Sequence, residues 1–341
     1  MSIKKTVALT TEDDCEIRLH CYPAQGPSSL PPVLLVHGFA ANAQMWTPPT
    51  QPDSLPSFLC RQGSNVYAID LRFRSGQPKR DWDVDDYVLY DIPTALRYIE
   101  KDSGQDRIHW VGHSMGGLLA YMYQTLHGSD KILSTTVLGS PGFRAIRSHS
   151  QIMVLSTGLV AIAKTVTNTG RLDLLPPQIM ATLVTMSFIA ANPRKHKIKR
   201  EHFAEFQTKS IVGNISYGEA KQLTSIVSKE GLKSTRHNFI YSNQARRIQS
   251  PLLAFSGNRD FIVRPRVVKQ GYEESNSQFK KYINLGMKTN CKTAYGHLDL
   301  IMGPNAQSEI WPEILNWITE WSDPAQKPLT SPSPSPPKPF F

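Results

Sequence analysis

The sequence predicts an α/β protein built on a doubly wound, mostly parallel sheet with an inserted helical cap. Three observations predict it. Short continuous apolar runs recur at PVLLVHG (32–38), NVYAIDL (65–71), IHWVGH (108–113), ILSTTVLGS (132–140) and PLLAFSGNRD (251–260). Such runs suit strands covered by helices on both faces. Helical periodicity falls between them. The rhythm then breaks from 142 to 249, where helical patterns dominate without a clear buried strand.

In chain order, residues 5–10 and 15–22 alternate as an antiparallel hairpin with TTEDD as its turn. The Pro-rich stretch 27–32 reads as a linker. Apolar residues at 87, 88, 92, 95, 96 and 99 predict a helix over 84–102, with Pro93 marking a start or a kink. GLLAYMYQTLH predicts a helix directly after Ser114, a further strand lies near 280–286, and a last helix covers 306–321. The expected division is a core of 1–141 and 250–322, a cap of 142–249, and a low-complexity, disordered tail of 323–341 ending SPSPSPPKPFF. Within the cap, 152–166 and 178–191 are strongly apolar and carry Met153, Met180 and Met186. They suit either packing on the core or a lid lining an apolar pocket, where a flexible thioether adapts to varied chains. The basic run RKHKIKREH (194–202) suits a solvated face or a contact with anionic groups.

Composition narrows the classes. The chain has 341 residues and a formal net charge of +10. A basic balance invites an acidic partner, yet no zinc-finger, RNP or helix-turn-helix signature is present, so no nucleic acid is expected. The four cysteines, at 15, 21, 60 and 291, form no C-x-x-C or metal-like cluster. Reduced thiols, no metal and no cofactor follow as expectations. MSIKKTVALTTEDDC lacks the apolar stretch of a signal peptide, and no run of about 18 apolar residues exists to span a membrane. The expected location is cytoplasmic, with weak peripheral membrane contact as an option.

The motif that carries chemistry is Gly112-His113-Ser114-Met115-Gly116, a G-x-S-x-G between a strand and a helix. That setting is a nucleophile elbow; the bland reading is a Gly-rich loop after a buried strand. Serine acyl transfer also needs a base, an acid that orients it, and donors for the oxyanion. Asp260 closes one strand run and His297 lies between the last strand and the last helix. They follow Ser114 in the order this arrangement requires. Asp299, two residues from His297, is a rival acid but too close along the chain to reach around the imidazole. The oxyanion donors are assigned to the backbone N–H groups of Met115, directly after the nucleophile, and Phe39, after His37-Gly38. His37 and His113 flank the site and read as structural, turned away from the nucleophile. The expected partner is a small-molecule ester with an apolar acyl group. Acyl transfer to another acceptor, C–C bond hydrolysis, and a non-catalytic scaffold holding an apolar ligand are the alternatives.

Over roughly 1–322, the order of VHGF, GHSMGG, SGNRD and YGHLD resembles the α/β-hydrolase superfamily. HGFAANAQMW, DSLPSFLCRQGSNVYAID, VDDYVLYDIPTALRYI and YGHLDLIMGPNAQSEIWPEI are locally similar to the gastric and lysosomal acid lipases. The resemblance implies ester hydrolysis with Ser114 as nucleophile, Asp260 as acid, His297 as base, and Phe39 and Met115 as oxyanion donors. The chain departs from that group where AIDLRFRSG replaces its G-N-S-R-G stretch and where Met115 replaces its Gln.

Overall fold

A computed structural model describes residues 5–48, 53–72, 82–144, 216–237 and 239–323. Eight strands form one sheet in the order β1-β2-β4-β3-β5-β6-β7-β8. β1 (Lys5–Thr10) and β2 (Glu16–Tyr22) make the expected hairpin, with Lys5 opposite Cys21 and Thr10 opposite Glu16. β2 runs antiparallel to β4 (Ser64–Asp70). From β4 across β3 (Leu30–Val36), β5 (Ile108–His113), β6 (Ile132–Leu138), β7 (Leu252–Gly257) and β8 (Lys280–Leu285), every pairing is parallel.

Both faces of β3, β5, β6 and β7 are covered, which is why their sequences read as near-continuous apolar runs. In β3, Leu34 and Val36 face one core, and Val33 and Leu35 face the other. The first core is closed by α2 (Ile92–Ser103), α3 (Met115–His127) and α5 (Pro265–Glu274), through Ile92, Leu118 and Val267 among others. The second is closed by α1 (Leu55–Arg61) and α6 (Trp311–Glu320), through Leu59, Trp311 and Ile314. All four cysteines are free thiols, including Cys15 and Cys21 in the hairpin region.

Two helical stretches are interrupted near a proline, the first where Pro93 predicts a start or a kink and the second where the sequence predicts no break. The 84–102 pattern is three pieces: a turn at Val84–Asp86 capped by Asp83, a wide π-turn at Tyr87–Asp91, and then α2. Pro93 sits in the first turn of α2, where its missing N–H costs nothing, and the π-turn re-aims the chain ahead of it. The last helix breaks at Ile310, between a short turn at Ala306–Glu309 and α6. Pro312 cannot donate to the carbonyl four residues back and its ring collides with it.

Most of the expected cap, including 152–166, 178–191 and 194–202, lies outside the described residues, as does the tail beyond Asp323. The described return of this segment is tied to the core by a buried carboxylate. Asp85 accepts from Gln222 Nε2 (2.7 Å), Ser234 Oγ (2.7 Å), Thr235 N (2.6 Å) and Tyr241 Oη (2.5 Å). Gln222 belongs to α4 (Tyr217–Thr224), which Ser216 opens with a capping box. A second buried charge ties the other edge. Arg72, fully enclosed just after β4, pairs with Asp91 (2.7 Å) and with Asp13 in the β1–β2 turn (2.8 Å).

The chain reverses its direction of travel across the sheet between β3 and β5, and the loops leaving these strands border the crevice so formed. The turn from β5 into α3 is tightly packed there. A Cβ on Gly116 would lie 2.1 Å from the Val36 carbonyl oxygen, and one on Gly112 would lie 2.4 Å from the Gly116 carbonyl carbon. These neighbours are backbone and cannot swing aside. Gly116→Ala is therefore expected to destabilise the fold by about 3 kcal/mol or more, read as a fall in urea midpoint. An unchanged midpoint would show that the helix is free to move away from β3.

Candidate active site

Ser114 sits at the junction of β5 and α3 with φ 52° and ψ −116°, a conformation that a residue with a Cβ rarely adopts. The surroundings hold it. Its N–H donates to Leu138 O (2.9 Å), and its carbonyl accepts from Gly117 N (3.1 Å) in the first turn of α3. Trp110 Nε1 donates to Gly116 O (3.0 Å), which pins the same turn to β5. The side chain stands at the crevice, 7 % exposed.

Asp260 lies just beyond β7, where its N–H donates to Gly257 O (2.9 Å). Its Oδ1 accepts from Ile262 N (2.9 Å) and Val263 N (2.8 Å), so the carboxylate caps its own loop. Its Oδ2 meets His297 Nδ1 at 2.7 Å. A carboxylate only accepts, so Nδ1 carries a proton. Both residues are buried. The rival acid, Asp299, accepts from Gly296 N (2.8 Å) and so shapes the loop carrying His297.

His113 lies beside His297. Its ring packs on that of His297 with centroids 4.6 Å apart, and its Nε2–H donates to His297 O (3.1 Å). Burial, and then the charge His297 can carry, push the His113 imidazole well below its ordinary pKa. His37 lies beneath the loop that follows β3. Leu71 N donates to its Nε2 (3.3 Å), and its Nδ1 faces Gly38 O (2.8 Å). Two residues expected as oxyanion donors stand at the crevice mouth: Phe39 in that loop, and Met115 at the start of α3. Among the described residues, no carbonyl accepts from the amide of either.

The loop after β3 is also held by Asp70, at the end of β4. Asp70 Oδ1 accepts from Ala43 N (2.7 Å), and Oδ2 meets His20 Nε2 (2.7 Å). Asp70, His37, His113 and Arg72 were not singled out as functional groups from the sequence. AIDL and VHGF contain the first two, but most of their partners lie on other segments: Leu71 N for His37, and Ala43 N and the His20 ring for Asp70. Among the described residues, no group of three His, Cys, Asp or Glu side chains is placed to hold a metal ion. No described helix is long and apolar enough to cross a membrane.

A family model for the alpha/beta hydrolase fold matches residues 31–286. The chain belongs to the α/β-hydrolase fold family. A probable lipase of Schizosaccharomyces pombe is 30% identical over 166 residues, which cover 42% of this chain and 35% of that protein. Gastric triacylglycerol lipase of Rattus norvegicus is 28% identical over 103 residues, 27% of this chain and 26% of the lipase. The matches thus span about a quarter to a third of these lipases. A poly(3-hydroxyalkanoate) polymerase subunit of Haloferax mediterranei is 22% identical over 345 residues, 95% of this chain and 66% of that protein. Among solved structures, a thermophilic esterase from Thermogutta terrifontis superposes with a TM-score of 0.63 at 16% identity, covering 94% of this chain and 100% of the esterase. That likeness is one of fold.

The Asp70 carboxyl yields a pH prediction. Burial raises its pKa, but the bond to His20, its charge and the Ala43 N–H outweigh burial and hold the carboxyl below the ordinary range. A carboxyl depressed on folding stabilises the protein above its unfolded value of about 4, and the contribution is lost as pH falls through the lower folded value. Urea titrations of wild type and Asp70→Asn should therefore differ from neutral pH down to about 5 and converge at more acid pH. A gap that stays constant to pH 3 would show that the charge of Asp70 is not what matters.

Proposed function

We propose that the protein is a carboxylic ester hydrolase working through an acyl-enzyme on Ser114. The observation that carries this reading is the pairing of His297 Nδ1 with Asp260 Oδ2 at 2.7 Å on loops at the same sheet end as Ser114. The pairing leaves Nε2 as the base. In the reaction, Ser114 Oγ attacks the ester carbonyl carbon while His297 Nε2 takes the hydroxyl proton. The negative charge on the carbonyl oxygen is met by the N–H groups of Phe39 and Met115. Collapse breaks the bond to the alkoxy oxygen, which leaves as the alcohol with the proton from His297. Water then attacks the acyl-enzyme and gives its proton to His297; collapse breaks the bond to Ser114 Oγ, which takes that proton back from His297 as the acid is released. Asp260 stabilises the imidazolium at both stages and holds the ring.

The similarity to lipases supports an ester with an apolar acyl group, with the segment 142–249 as the part that selects chain length. A second reading keeps the acyl-enzyme and changes the acceptor. The likeness to a polymerase subunit over 95% of the chain supports it, since an alcohol in place of water gives acyl transfer by the same steps.

Ser114→Ala should keep its circular dichroism spectrum and lose p-nitrophenyl ester turnover by about four to six orders of magnitude. Wild-type turnover in that variant would overturn the assignment. Complete inertness of folded wild-type protein to a fluorophosphonate probe would instead favour a non-catalytic scaffold. Across esters graded from acetate to long acyl chains, activity should rise beyond acetate; product analysis with added alcohols separates hydrolysis from transfer.

A further inference from the structure

We propose that His37 is a positioning residue for the Phe39 amide, acting by fixing the plane of the Gly38–Phe39 peptide. The proposal rests on the reading of Phe39 as an oxyanion donor. His37 is fully buried, and its two ring nitrogens are assigned by their neighbours. Leu71 N–H can only donate, so Nε2, 3.3 Å away, accepts. Gly38 O can only accept, so Nδ1 carries a proton and donates to it at 2.8 Å.

The consequence follows from peptide geometry. A trans peptide is planar, and its C=O and N–H point in opposite directions. Holding Gly38 O therefore aims Phe39 N–H to the other side. That peptide borders the nucleophile: a Cβ built on Gly38 would lie 3.3 Å from Ser114 Cβ. Ala41 N also donates to Gly38 O (3.2 Å), which closes the turn around the same carbonyl. Both ends of the loop are referred to one place, the exit of β4. Leu71 N orients His37, and the preceding Asp70 holds Ala43 N (2.7 Å). An oxyanion donor must be in place before charge develops. A buried imidazole anchored to the sheet supplies that rigidity to a loop that would otherwise choose its own peptide orientation.

Three variants test this. Asn places an amide N–H near the position of Nδ1, Gln places its amide near Nε2, and Leu offers neither. His37→Leu and His37→Gln should lower kcat about 10- to 100-fold, a part of what deletion of a whole oxyanion donor removes. KM should stay within about two-fold, because a ground-state carbonyl uses the donor little. His37→Asn should recover most of kcat. Amide hydrogen exchange over 38–43 should accelerate in the Leu and Gln variants and stay near wild type in the Asn variant. Equal kcat and equal exchange in the Gln and Asn variants would overturn the proposal, and this pair decides it even where the Leu variant does not fold. If Ser114→Ala shows the hydrolase reading to be wrong, exchange at the Phe39 amide still reports whether His37 holds the peptide.

Discussion

A serine at φ 52° occupies a backbone conformation that disfavours a Cβ by about 1–3 kcal/mol, and the chain on either side leaves it no alternative. β5 is paired on both edges, with β3 and with β6, so its direction is fixed up to His113. α3 must start at once and travel back across the sheet, and its first turn lies against the end of β3. The two elements meet only where Gly112 and Gly116 remove the side chains between them. The residue left at the apex is Ser114, and the strain there is maintained by the sheet pairing and the packing of α3 below it. Loosening that contact would free the serine to relax into an ordinary turn, with its hydroxyl no longer held at the crevice.

The remaining groups follow from the same end of the same sheet. The exits of β3 and β5 carry Phe39 and Ser114; the exit of β7 carries Asp260; the loop beyond β8 carries His297. Each is short of freedom for a local reason. Asp260 is held by two amides of its own loop, His297 by Asp260 and by the ring of His113. A parallel sheet delivers every strand's C-terminal end to one side, so residues far apart in sequence converge there without any long-range design beyond strand order.

The parallel strands were legible because burial on both faces leaves a continuous apolar run. The pairing of Asp260 with His297 was legible as a candidate because serine chemistry dictates residue types, and strand order dictates their sequence. The helix interruptions were less so. Periodicity over 84–102 survives a π-turn, since one extra residue shifts the apolar stripe only modestly, and Ile310 gives no sign that Pro312 will end the preceding turn. His37, Asp70 and Arg72 were hidden for a different reason. Their partners are Gly38 O and Leu71 N, Ala43 N, and Asp13 with Asp91. Backbone atoms carry no sequence signature, and a buried Arg–Asp pair across 59 positions has no spacing to read.

The two histidines that face each other, His113 and His297, must not both be charged. In the proposed acyl transfer His297 becomes an imidazolium, 4.6 Å from the centre of the His113 ring. A charged neighbour at that distance would oppose the proton transfer. Burial keeps His113 neutral, and the His297 carbonyl accepts its Nε2–H, so the ring is held in place by a bond that does not need a charge. Among the described residues, the carboxylate hydrogen-bonded to the pair, Asp260, stands on the Nδ1 side of His297. On the proposed mechanism the positive charge is therefore drawn to one ring and met on one edge, and the other edge of that ring is the one that exchanges a proton with Ser114 and the leaving group. The environment distinguishes two chemically identical side chains, and the difference is created by which of them has a carboxylate partner and which is enclosed by the strand end that bears it.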